Sequence, residues 1–78
     1  MNINGIEYRL QIASDVERNG LGLECYRKNK EKEELVLEVF RNDSEKRFVY
    51  SQFVQDIPLE LIEHIVSISR HKLGEFVP

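Results

Sequence analysis

In four runs between Ile6 and Val54 the apolar residues recur at every second position, and after Pro58 the same residue types recur at helical spacing. A period of two gives each strand one apolar face, and a period near 3.6 gives the last segment one apolar stripe. A single switch of this kind, late in a short chain, selects an α+β arrangement in which one helix covers one face of an antiparallel sheet.

The first run sets Ile6, Tyr8, Leu10 and Ile12 against Glu7, Arg9 and Gln11. The Asn4-Gly5 pair before it suits a tight hairpin turn, so residues 1–3 are a candidate edge strand outside the four that the pattern requires. The second run, Leu21 to Arg27, sets Leu21, Leu23 and Cys25 against Gly22, Glu24 and Tyr26. The third, Glu34 to Arg41, sets Leu35, Leu37 and Val39 against Val36, Glu38 and Phe40.

Residues 27 to 34 read RKNKEKEE, in which every position but Asn29 is charged, so the segment offers no core position and reads as a solvated hairpin loop. A connection from Lys28 to Lys32 sets Cys25 opposite Leu35, Leu23 opposite Leu37 and Leu21 opposite Val39. The fourth run is Lys46 to Val54, after the turn residues Asn42, Asp43 and Ser44. An even-numbered loop pairs Val39 with Phe48 and Leu37 with Tyr50, and an odd-numbered loop brings Val49 and Phe53 inward instead; the first register is preferred.

Pro58 is preset for a first helical turn, with Asp56 or Ile57 as its cap. Leu59, Leu61, Ile62, Ile65, Val66, Ile68 and Leu73 then share one arc, while Glu60, Glu63, Ser67 and Arg70 lie outside it. Gly74 fits the left-handed stop. The expected architecture is therefore a single domain, residues 1–78: an antiparallel four-stranded meander with one C-terminal amphipathic helix packed on one face.

A chain of this length buries only about 60% of the surface it exposes when unfolded, so most of its apolar residues must enter one core. Cys25 is the only cysteine, which leaves no internal disulfide and suggests a reducing compartment. The N-terminus has no basic segment followed by an apolar stretch, and no apolar run exceeds three residues. A cytoplasmic location without membrane insertion is expected. With 11 basic and 14 acidic residues the formal charge is −3, the wrong sign for phosphate-dominated binding.

Catalytic and metal-binding sets are not legible. His64 and His71 are two helical turns apart, about 10.5 Å of rise, and cannot ligate one ion together. Glu60 with His64 supplies half of a tetrahedral site. Strand parity points Cys25 into the core as a structural thiol. No nucleophile elbow or phosphate-cradling glycine loop occurs. Asn42-Asp43-Ser44 is a glycosylation sequon that reads more simply as a hairpin turn. No enzyme activity, cofactor or metal is expected.

The same parity leaves Tyr26, Val36, Phe40, Val49 and Phe53 on the sheet face opposite the helix, among Arg9, Glu24, Glu38 and Arg47. That face is the candidate interaction surface, for an unidentified protein partner or a second copy of the chain. The alternative is a nucleic-acid binder, with Tyr26, Phe40 and Phe53 as stacking platforms and Arg9 and Arg47 on phosphates.

Taken together, ASDVERNGLGLECY, LVLEVFRND and DIPLELIEHIV resemble a group of small bacterial proteins of unassigned function, built as strands followed by a C-terminal helix. The likeness spans residues 6 to 73 and rests on turns and core stripes. It implies a bacterial cytoplasmic origin and carries over no catalytic or binding residue; the expectation of a non-enzymatic interaction module, homodimeric or immunity-like, comes from the uncovered sheet face instead.

Overall fold

A computed structural model describes all 78 residues, Met1–Pro78. The elements are β1 (Asn2–Ile3), β2 (Ile6–Asp15), β3 (Gly20–Asn29), β4 (Lys32–Asn42), β5 (Arg47–Gln52) and α1 (Leu59–Leu73). The strands form one antiparallel sheet in chain order, curled into a half-barrel, and α1 packs against β3 and β4. The sheet thus has five strands rather than the expected four. Asn4 (φ 50) and Gly5 (φ 84) both adopt the left-handed conformation that a tight hairpin demands, and the Tyr8 N–H donates to the Met1 carbonyl at 2.8 Å.

The β3–β4 hairpin is longer than the pattern predicts, because the charged segment pairs instead of looping. Arg27 lies opposite Glu34 and Lys28 opposite Glu33, leaving only Lys30 and Glu31 in the turn. Opposite charges facing each other across two strands favour this pairing. The shorter turn moves the register by one residue and a bulge by one more, so Cys25 faces Leu37 and Leu23 faces Val39, two residues from the expected partners, and these four side chains keep the expected face.

A β-bulge between Cys25 and Tyr26 leaves Val36 as the extra residue of β4, since Leu37 pairs with Cys25 and Leu35 with Tyr26. This reverses two expectations. Leu35 shares the outer face with Tyr26, and Val36, expected outside, is fully buried in the core. Beyond the four-residue turn Asp43 to Lys46, β5 pairs Tyr50 with Val39 and Gln52 with Leu37. Phe48 and Tyr50 therefore face inward as preferred, again two residues along from the expected partners.

The core consists of Tyr8, Leu23, Cys25, Val36, Leu37 and Val39 from the sheet, with Ile57, Leu61, Ile65 and Leu73 above them. The helix begins without a side-chain cap: Pro58 itself takes the capping position, and its carbonyl accepts from Leu61 and Ile62. Gly74, at φ 76, ends it as expected. Of the predicted arc, Leu59 and Val66 are exposed, because the stripe is wider than the sheet surface beneath it. The C-terminal tail then folds back on β5, with the Phe76 ring 5.1 Å from that of Phe48.

Candidate interaction surface

The five residues expected to form an open face meet different fates. Val36 belongs to the core, through the bulge described above. Phe40 does point away from the helix side of the sheet, yet only 2% of it is exposed. The guanidinium of Arg18 lies over its ring at 3.8 Å and donates to both carboxylate oxygens of Glu38 at 3.0 Å. Arg18 Nε donates to Asp15 at 2.6 Å, which anchors the lid to the β2–β3 turn. Beneath the lid, Gly20 and Gly22 leave the room that Phe40 and the Glu38 carboxylate occupy.

Tyr26 is half-buried under the Arg9 guanidinium, 4.6 Å from its ring centre. Its hydroxyl donates to Glu24 at 2.9 Å, which with burial raises its pKa above the ordinary phenol value. Arg9 in turn donates to both carboxylate oxygens of Glu33 at 2.9 Å. Val49 and Phe53 alone among the five stay open, 38% and 54% exposed. The centre of the outer face is thus closed by intramolecular ion pairs, and its apolar remainder lies along β5.

On the other side of β5 a second exposed apolar group appears. Tyr50 is 42% exposed although it faces inward, because α1 lies over β3 and β4 and stops short of β5. Leu59 and Val66 are exposed on the flank of α1 that also carries Arg70. That flank faces β5, since the Arg70 guanidinium sits 4.7 Å from the centre of the Phe48 ring. Val49, Tyr50, Phe53, Leu59 and Val66 therefore line one margin of the molecule. Burial and the nearby Cys25 hold the Tyr50 hydroxyl above the usual phenol value.

The backbone of β5 adds to this margin. The Phe53 N–H donates to the Val36 carbonyl at 2.9 Å, in register with the Leu37 and Gln52 pair. Alternation then directs the backbone groups of Val49 and Ser51 to β4 and those of Phe48, Tyr50 and Gln52 to the open edge. No charged residue occurs between Arg47 and Asp56. The opposite edge, β2 beyond Tyr8, carries Arg9 and Asp15. Charge of that kind guards an edge strand, and β5 carries only Arg47, at its first residue.

The remaining candidates stay separate. Cys25 is fully buried, and desolvation raises its thiol pKa to about 11. His64 and His71 are exposed on α1, and no three His, Cys, Asp or Glu side chains converge. Asn42 Oδ1 accepts from the Glu45 N–H at 2.9 Å, the bond of a turn-forming asparagine. No helix is long and apolar enough to cross a membrane.

Sequence reasoning overlooked Arg18, Tyr50 and the Leu59 and Val66 flank. Gly20 and Gly22, on one strand face, were the available sign of a close approach on the outer side. No protein-family model matches this chain, and neither curated proteins nor solved structures provide a match.

Proposed function

We propose that the chain is a non-enzymatic protein-interaction module, acting in the bacterial cytoplasm that the resemblance implies, and that its contact surface is the β5 margin. One observation carries this reading: Val49 and Phe53 are exposed on the outer face at β5, Tyr50 on its inner face and Leu59 and Val66 on the helix flank toward it, while Arg47 at its start is the only charge of the strand. Apolar side chains flanking unpaired backbone groups supply both the desolvation energy and the hydrogen bonds of strand addition.

The nucleic-acid alternative is weaker on the same grounds. Arg9 is bound to Glu33, Arg18 to Glu38 and Asp15, and Arg47 lies 3.6 Å from Glu45. Phe40, one of its three stacking platforms, is buried. An affinity capture from the native host, comparing the wild type with Val66→Lys and with Glu60→Lys, tests the reading. Loss of the captured protein in Val66→Lys and its retention in Glu60→Lys supports it; equal capture by both variants rejects it.

A further inference from the structure

We infer that the occupant of the β5 edge is a second copy of this chain, joined by antiparallel β5 to β5 pairing about a two-fold axis at Tyr50. This rests on the β5 margin being the contact surface.

Symmetry limits such a pair tightly. An antiparallel pair of identical strands in one continuous sheet has its axis perpendicular to the sheet, so both helices lie on the same side. Residues facing each other must then share a face, and the axis falls on a residue rather than between two. An axis at Tyr50 sets Tyr50 against its own copy and Phe48 against Gln52 of the second copy. Phe48, Tyr50 and Gln52 are the residues whose backbone groups point outward, so this register closes about six hydrogen bonds. An axis at Val49 would leave Gln52 opposite Lys46, a turn residue with φ 56, and would lose a third of them.

Charge placement favours the same register. Arg47 is the only charge on the strand, and the pairing sets it opposite Phe53 of the second copy, on the outer face. The two Arg47 side chains are then about 20 Å apart, and each meets an exposed aromatic ring in place of a like charge.

The helix flank repeats this complementarity. Helix and strand run in opposite directions, since Arg70 lies over Phe48 and the Leu73 carbonyl accepts from Arg41, the residue paired with Phe48. Val66 therefore stands level with the region of Tyr50, with Glu63 and Arg70 on either side of it. A two-fold axis there directs Arg70 of each copy toward Glu63 of the other, opposite charges about an apolar centre. The exposed Tyr50, Val66 and Leu59 side chains lie between the helices, where a second copy covers them.

Sedimentation of the wild type over a dilution series is expected to show a species of twice the 9.2 kDa chain mass. Tyr50→Lys should retain the wild-type circular dichroism and lose the dimer. Tyr50→Cys should form an intermolecular disulfide under mild oxidation, because facing residues of a hydrogen-bonded pair have Cα atoms about 5.5 Å apart, within disulfide reach. Gln55→Cys, exposed and outside the strand, should not, and the buried Cys25 cannot compete. A wild type that stays at 9.2 kDa, a dimer without the Tyr50→Cys cross-link, or growth into larger oligomers overturns the inference. A monomer whose host-protein capture is abolished by Tyr50→Lys ends self-pairing and keeps the interaction reading. A monomer with no capture sensitive to Tyr50 ends both.

Discussion

The guanidinium of Arg18 lies 3.8 Å from the centre of the Phe40 ring, on the face of the sheet opposite the helix. Its fork meets both oxygens of Glu38, a side chain only 5% exposed, and its Nε meets Asp15. A residue from the β2–β3 turn thus seals an aromatic ring and a carboxylate that would otherwise face water. This small second core has a direct consequence for function, because it removes the middle of the outer face from the available contact surface. Of the five aromatic and aliphatic side chains expected on that face, only Val49 and Phe53, on and just beyond β5, stay exposed.

Arg18→Ala is expected to lower stability by about 1–3 kcal/mol, since it uncovers Phe40 and leaves the buried Glu38 carboxylate without a partner. Arg18→Lys should fall between, keeping a charge and losing the planar two-pronged contact. Phe40→Lys, harmless if that ring were a solvent-facing contact, should instead unfold much of the population by placing an ammonium under the lid. Urea midpoints of the three variants measure the order.

Gly20→Ala should be more damaging than Gly22→Ala. A Cβ at Gly20 would sit 2.0 Å from the Arg41 carbonyl oxygen and 2.6 Å from the Phe40 ring, and that backbone atom cannot move without distorting β4. A Cβ at Gly22 meets the Glu38 carboxylate oxygen at 2.6 Å, the far end of a flexible side chain that can turn at the expense of its contact with Arg18. Thermal melts of both variants give the comparison, and equal midpoints would contradict the close approach at Gly20.

The alternation of Leu21, Leu23 and Cys25 with Gly22, Glu24 and Tyr26 made the faces of β3 legible, since side-chain direction follows from parity alone. The registers were not legible. They depend on where each turn closes, and in RKNKEKEE the charged residues continue the strands, Arg27 opposite Glu34 and Lys28 opposite Glu33, so that only Lys30 and Glu31 turn. The Val36 bulge was hidden for a related reason: a single unpaired residue shifts parity without changing composition. The candidate surface was half legible. Parity places Val49 and Phe53 outside, where they are exposed, whereas Tyr50, Leu59 and Val66 fall on core-facing stripes, and a hydrophobic stripe does not reveal how far the opposing surface extends.

Leu37 stays central under either register. It is fully buried and pairs with Cys25, so Leu37→Ala is expected to cost about 2–5 kcal/mol. A chemical-denaturation midpoint indistinguishable from wild type would move the core elsewhere.

Cys25 should label slowly with a thiol reagent while the protein is folded and rapidly in denaturant. The side chain is fully buried, and desolvation raises its pKa from an ordinary 9.0 to about 11, so little thiolate forms near neutrality. Because the folded value is the higher one, the neutral thiol's contribution is fully present below pH 9.0 and is lost between there and about pH 11. Fast labelling of the native protein at neutral pH would place this strand face in solvent.

The opposite pH behaviour is expected at Asp43. Burial pushes its carboxyl up, but the Val77 N–H at 3.1 Å and the Arg41 guanidinium outweigh burial and hold the pKa below the ordinary 3.8. A depressed folded value means that the unfolded chain binds the proton first on acidification. The stabilisation is therefore constant above pH 3.8 and disappears as the pH falls through the lower, folded value. Arg41 also donates to the Leu73 carbonyl, so protonating Asp43 loosens the junction of β4, the end of α1 and the tail. Asp43→Asn should lower the urea midpoint near neutral pH, and its deficit against the wild type should shrink at acidic pH, as the wild-type carboxyl takes up its proton below the ordinary 3.8. A deficit of the same size at both pH values would assign the effect to lost hydrogen-bond geometry and remove the ionised carboxylate from the argument.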